Sequence, residues 1–174
     1  MSSEAVADQR VFPTAITEAV RRAIGKTFGA MYGEEPREAE GSEVGSDEPY
    51  VAGIISFVGE DRWSLCWMLP KATAEKMAAQ FMGGMEVAFE SDDMADIAGE
   101  LVNILAGEVV AQLESDGVKA QMSLPTVARG TGLRVLPDHG AGVQRLAYQT
   151  GLGPFWFRLA CGQESIGGSR MPGA

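Results

Sequence analysis

Two apolar runs, Val51–Val58 (VAGIISFV) and Trp63–Leu69 (WSLCWML), are separated only by a turn at Gly59-Glu60-Asp61, and Pro70 stops the second. Runs of this length bounded by turn residues read as the two strands of a hairpin. Trp63 and Trp67, an even number of positions apart, fall on one face of it. A hairpin with so much apolar surface needs a partner layer, and the flanking segments supply one. Upstream, Ile16, Val20, Ala23, Ile24, Phe28 and Met31 recur three and four apart, which predicts an amphipathic helix ending near Gly33. Downstream, Ala72–Met82 predicts a short helix with Ala74, Met77, Ala78 and Phe81 on one side and Gly83-Gly84 at its end. A longer helix follows, from about Met94 to Leu113, capped by Asp92 or Asp93 and closed by Gly117. Further strands are expected at Lys119–Leu124, Leu133–Leu136, Gln144–Gln149 and Pro154–Cys161. The order predicts an α+β fold of two layers, helices packed on an antiparallel sheet.

Charge and hydropathy narrow the partners. The 174 residues carry 14 Lys+Arg against 24 Asp+Glu, a net charge of −10. Residues Glu34 to Pro49 (EEPREAEGSEVGSDEP) account for −6 of this, leaving −4 for the rest of the chain. That segment, 34–49, reads as a flexible acidic loop. No basic stripe offers itself to phosphates, so no nucleic-acid partner is expected. No apolar run approaches the roughly 20 residues of a membrane span, and the start, MSSEAVADQR, has no signal-peptide pattern. The expectation is a cytoplasmic chain without membrane contact, organised as a flexible leader over 1–11, one domain over 12–162 and a disordered tail over 163–174. Cys66 and Cys161 form no CxxC pair and lie in apolar strand-like runs, the setting of buried, inert thiols. His139 lies in the turn-like PDHGAG with no second ligand at metal spacing. Trp156, Phe155 and Phe157 read, like Trp63 and Trp67, as core or subunit interface, and the glycines of GLGPF lack phosphate-loop spacing.

Chemistry concentrates on the long helix. At about 100° per residue, Asp96, Glu100, Asn103 and Gly107 fall within one narrow stripe. Leu101, Val102, Leu105, Val109 and Leu113 supply the opposite, sheet-binding face. The stripe is either an ordinary wet face or a surface built for another molecule. Asn and Gly are poor interior helix residues, Gly by about 1 kcal/mol relative to Ala. A residue without a side chain beside an amide and a carboxylate leaves room for close approach. The first helix carries a weak echo, Thr14-x3-Glu18-x2-Arg21-x3-Gly25 against Asp96-x3-Glu100-x2-Asn103-x3-Gly107, which suggests pseudo-duplicated α-β-β units.

The run DIAGELVNILAG, with Pro125 following Asn103 after 21 residues, resembles the Asp/Ser-x3-Glu-x2-Asn…Pro signature of the CheC/CheX/FliY phosphatases of bacterial chemotaxis. The Met31-Tyr32-Gly33 helix end, the hairpin turn at Gly59, the FMGG helix end and SLPTVARG (Ser123–Gly130) are similar to its CheX branch over roughly 12–161. The resemblance implies a CheC-like fold and a phosphatase acting on the aspartyl phosphate of a CheY-like receiver domain. It makes Asn103 the catalytic amide and Glu100 the partner-docking carboxylate. Asp96, Gly107 and Pro125 become supporting positions. It also implies a homodimer, with PFWFRLAC compatible with the interface. No cofactor or metal is expected on this chain, because the receiver brings its own Mg²⁺ and Lys. In the echo Arg21 stands where an amide is needed, and a guanidinium has five donors and no acceptor. One active site per chain is therefore expected, with Glu18 and Arg21 as a surface pair. The rival expectations are a receiver-binding adaptor or flagellar-switch module without turnover, and a purely structural dimerisation domain.

Overall fold

The computed structural model describes residues 11–40, 47–135 and 140–162. Helix α1 (Thr14–Tyr32) starts after Pro13 and ends at Gly33, whose φ of 64° lets its N–H return to the Gly29 carbonyl at 3.2 Å. Strands β1 (Arg37–Glu38), β2 (Pro49–Gly59) and β3 (Arg62–Pro70) follow, then helices α2 (Lys71–Phe81) and α3 (Asp92–Ser115). Strands β4 (Ala120–Met122), β5 (Thr126–Thr131), β6 (Gly142–Thr150) and β7 (Gly153–Cys161) complete the fold. All strands join one antiparallel sheet in the order β1-β6-β7-β3-β2-β4, with β5 also paired to β2.

All three helices cover one face of this sheet. Ile24 and Phe28 of α1, Met77 of α2 and Leu101, Val102 and Leu105 of α3 pack on Val51, Ile55, Leu65, Trp67, Phe155 and Phe157. Trp67 lies between stacked Phe157 and tilted Phe28, and Trp63 stacks on Phe57 with centroids 3.9 Å apart. A smaller apolar patch of Tyr50, Ala52, Cys66 and Met68 occupies the opposite face, with Ile54, Val135 and Trp156 packed against it. Cys66 and Cys161 are both buried and form no disulfide with each other. The described helices include none long and apolar enough to cross a membrane.

The duplication is visible in the pairing. Each unit runs from a helix to a hairpin, α1 to β2-β3 and α3 to β6-β7, and the hairpins meet antiparallel along β3 and β7. The edges are exchanged. β1, which precedes the first hairpin, pairs with β6 of the second, and β5, which precedes the second, pairs with β2 of the first.

The structure departs from expectation in four places. The cap of α3 is Ser91, whose hydroxyl oxygen accepts from the Met94 N–H at 3.2 Å, while Asp92 and Asp93 occupy the first turn. There their charge faces the positive end of the helix dipole. Residues 133–135 are not a strand; they strap the outer face, where the Tyr50 hydroxyl donates to the Leu133 carbonyl and Arg158 to that of Val135. The pairing expected there is made by β5 instead. The acidic loop opens with order, since Arg37–Glu38 pair with Gln149 and Tyr148 and the Ala39 N–H donates to the Ala147 carbonyl at 2.8 Å. Phe81 stands out from α2 with 37% of its surface exposed. β7 is an interior strand bonded to β3 and β6, with Phe155, Phe157, Leu159 and Cys161 buried under the helices and Trp156 against the outer apolar patch. The leader to residue 10, residues 41–46, His139 and the tail from 163 lie outside the described residues.

Candidate functional site

The stripe on α3 is held by the face behind it. Leu101, Val102, Leu105, Val109 and Leu113 are all at most 2% exposed, which fixes the rotation of the helix about its axis. Asp96 and Glu100 are exposed, Asn103 is half-buried one turn after Glu100, and Gly107 is exposed one turn further on. The structure therefore brings four of the five candidate residues onto one face. The space around Gly107 is open: a Cβ built there meets nothing within 4 Å.

Pro125 joins them from the sheet. A Cβ on Gly99 would lie 3.4 Å from Val127 Cγ2 and 3.9 Å from Pro125 Cγ, so α3 lies directly against the start of β5. At the other end of the helix, Glu114 and Gly117 line one groove with Lys119 and Gln121. Helix and strand segment thus run in opposite directions. One helical turn advances about 5.4 Å and two strand residues about 6.6 Å. Stepping from Gly99 to Asn103 therefore matches stepping from Val127 to Pro125, and Asn103 stands level with Pro125. The long sequence interval in the motif spans the helix end and the β4 return, after which the chain comes back along α3 and sets Pro125 beside Gly99.

Two positioning residues carry no obvious signal in the sequence. Gly53 of β2 lies under α3, where a Cβ would sit 2.7 Å from Val102 Cγ1; its missing side chain sets how closely the turn bearing Asn103 approaches the sheet. Arg129 of β5 donates to the carbonyls of Phe89 and Ser91, at 2.8 and 2.6 Å, and so fastens the entry of α3 to the strand beside it. Both contacts join residues remote in sequence, and only the tertiary fold reveals them.

The two halves of α3 differ electrostatically. In the second half, antiparallel α1 engages Glu108, Gln112 and the C-cap Asp116: Lys26 reaches Glu108 at 2.8 Å, and Arg22 reaches Gln112 and Asp116. Burial raises the Glu108 carboxyl, but the hydrogen bonds from Lys26 and Gln112 outweigh it and hold the group below its ordinary range. Asp96, Glu100 and Asn103, by contrast, have no side-chain partner among the described residues.

The corresponding stripe of α1 is filled from within. Arg21 donates from Nε and Nη2 to both carboxylate oxygens of Glu38, at 3.0 and 2.9 Å, and from Nη1 to Glu18 at 2.6 Å. The hydrogen bond to Glu38 leads in holding the guanidinium well above even its usual high range. Beside this network, burial pushes the Tyr148 phenol up to about 12, and the charge of Glu38 adds to the effect. Glu18 and Arg21 form the surface pair expected of them, and β1 closes it.

The chemotaxis phosphatase CheX family model matches residues 51–148. The CheY-P phosphatase CheX of Thermotoga maritima is 32% identical over 123 residues, which cover 69% of this chain and 79% of that protein. Among solved structures, a CheC-like superfamily protein from Shewanella sp. PV-4 superposes with a TM-score of 0.75 at 15% identity, covering 87% of this chain and all of the other. The CheX of a CheX–CheY–BeF₃–Mg²⁺ complex from Borrelia burgdorferi does so with a TM-score of 0.67 at 17% identity, covering 88% of this chain and all of the other. The fold is CheC-like, and the chain belongs to the CheX family of chemotaxis phosphatases.

Proposed function

We propose that this protein hydrolyses the aspartyl phosphate of a CheY-like response-regulator receiver domain, with Asn103 orienting the attacking water and Glu100 docking to the receiver's lysine. The observation that carries the proposal is the pairing of exposed Glu100 with half-buried Asn103 on one stripe of α3, both without a side-chain partner among the described residues. Relatives support it: the Thermotoga protein is a CheY-P phosphatase, and the Borrelia one is seen in complex with CheY.

The chemistry suits these groups. An acyl phosphate already coordinated by the receiver's own Mg²⁺ and Lys lacks chiefly a water held in line with phosphorus. A neutral amide can accept a hydrogen bond from that water through its oxygen and donate one through its NH₂, with no need for a pKa near 7. The anchored face of α3 limits the freedom of Asn103, which is what such alignment requires. Glu100, one turn away, makes a charge-assisted bond to the lysine and sets the depth of insertion. Asp96 adds negative charge toward the same partner, Gly107 lets the receiver backbone come close, and Pro125 shapes the strand beside Asn103. Mg²⁺ belongs to the receiver in this scheme. With Arg21 committed to Glu38 and Glu18, α1 offers no second site, and each chain has one. The setting we propose is cytoplasmic, and the assembly a homodimer.

The test is the decay of a cognate receiver's aspartyl phosphate without added protein, with the wild type and with Asn103→Ala. The wild type accelerates decay, and Asn103→Ala loses on the order of 100-fold, the scale of removing one positioned hydrogen-bonding group from an active site. Glu100→Ala mainly raises KM. A fully active Asn103→Ala protein refutes the assignment. Unchanged decay together with binding of the phosphorylated receiver identifies an adaptor.

A further inference from the structure

Among the described residues the most exposed large apolar side chain is Leu124, at 87%. A scattered surface leucine by itself needs no explanation. This one, however, immediately precedes Pro125, on the strand segment that runs level with Asn103 and on toward the open space at Gly107. Its backbone is also held. The Ser123 N–H donates to the Ser56 carbonyl at 2.9 Å, the Ser56 N–H donates to Ser123 Oγ at 3.1 Å, and that hydroxyl donates to the Leu124 carbonyl at 2.8 Å. The short link between β4 and β5 is thereby tied to the edge of β2, and it presents the leucine on a fixed stalk rather than a loose loop. An apolar group ordered in this way loses little further freedom when a partner covers it.

We propose that Leu124 is a second docking contact for the phosphorylated receiver, an apolar anchor that enters a hydrophobic depression beside the receiver's phosphorylation site while Glu100 engages its lysine. This rests on reading the chain as a receiver phosphatase. The occupant follows from continuity: a domain inserted far enough for Asn103 to reach its phosphoryl group covers the adjoining 124–125 segment as well. Glu100 then contributes charge and Leu124 contributes shape, so the leucine selects among receivers that share the same acidic and lysine machinery.

The experiment compares wild type, Leu124→Ala and Leu124→Asp in two arms: phosphoryl-receiver decay over a range of receiver concentrations, and equilibrium binding to the receiver loaded with BeF₃⁻ and Mg²⁺. So exposed a residue can be changed without loss of fold, which circular dichroism checks. The proposal expects KM to rise and affinity to fall by about tenfold or more, the scale on which truncating one anchor residue weakens an interface, with kcat kept within about twofold. Unchanged KM and affinity overturn it. So does a change in sedimentation with KM unaltered, which assigns Leu124 to contact between copies of this chain. Should the wild type leave decay unaccelerated, the phosphatase reading fails by itself and the binding arm still decides. Weaker binding by Leu124→Ala upholds the docking contact, and equal binding, or none by the wild type, overturns it.

Discussion

Gly53→Ala is the substitution that best tests how α3 is seated. The added Cβ would lie 2.7 Å from Val102 Cγ1, 2.8 Å from its Cβ and 3.3 Å from its Cγ2, against ordinary carbon contacts of about 3.5–4.0 Å. Neither side yields easily. β2 is bonded to β3 on one side and β5 on the other at this position, so the strand is fixed. A helical valine has essentially one rotamer, and turning it leaves the Cβ where it was. The overlap is relieved only if α3 lifts by about 1 Å, an overpacking that costs about 1–3 kcal/mol. For a chain of this size that lowers Tm by about 2–12 °C. Val102→Ala alone removes two buried methyl groups and costs about 2–3 kcal/mol. In the double variant the γ-carbon clash is gone while the Cβ contact persists. It should therefore be more stable than the sum of the single changes, by about 0.5–3 kcal/mol. Urea unfolding followed by fluorescence of the buried tryptophans measures all four corners, with an unchanged m-value as the control. Strict additivity, or an undiminished Gly53→Ala protein, refutes the account of glycine as the spacer under the helix.

Two further outcomes follow from the same region. Ser91→Ala removes the α3 cap and should cost about 1 kcal/mol, read by urea midpoint; Asp92→Ala and Asp93→Ala should each cost less, because neither caps the helix. Lys26→Met tests the Glu108 pair through pH. The Glu108 carboxyl lies below its ordinary 4.5 in the folded chain, so its contribution is present above that value and is lost as pH falls through the lower folded value. The variant should therefore lose stability near neutrality and show a shallower decline in acid, and parallel curves for the two proteins would contradict this.

The helices and the central hairpin were legible because their signals are local and repeated. The spacing of Ile16, Val20, Ile24 and Phe28 and the paired runs before Pro70 each restate one periodicity several times. Failures came where a tertiary contact decides. Thr126–Thr131 contains Arg129 and Gly130 and shows little apolar alternation, yet it pairs with β2, while the more strand-like Leu133–Leu136 begins as a strap across the outer face. Two residues are too few to announce a strand, and Arg37–Glu38 is ordered because β6 offers an edge and Arg21 offers a counter-charge. The cap was misread because three adjacent residues can each cap a helix. The stripe of Asp96, Glu100, Asn103 and Gly107 was legible as geometry because a helix carries its own angular scale. The closeness of Pro125 to that stripe, the support of Gly53 and Arg129, and the closure of the α1 stripe by Glu38 were not, since each joins segments distant in sequence.

The exchanged edge strands have a consequence for how this chain reaches its native state. Severed near Gly83-Gly84, it would yield two pieces, each lacking the strand that seals its own hairpin and each holding the strand that seals the other's. Neither piece is a smaller version of the whole, and mutual completion becomes a condition of folding rather than a late docking step. Such pairings span long stretches of sequence, so loop closure must come before the contacts that reward it, and folding is slower than the local strength of the helices would suggest.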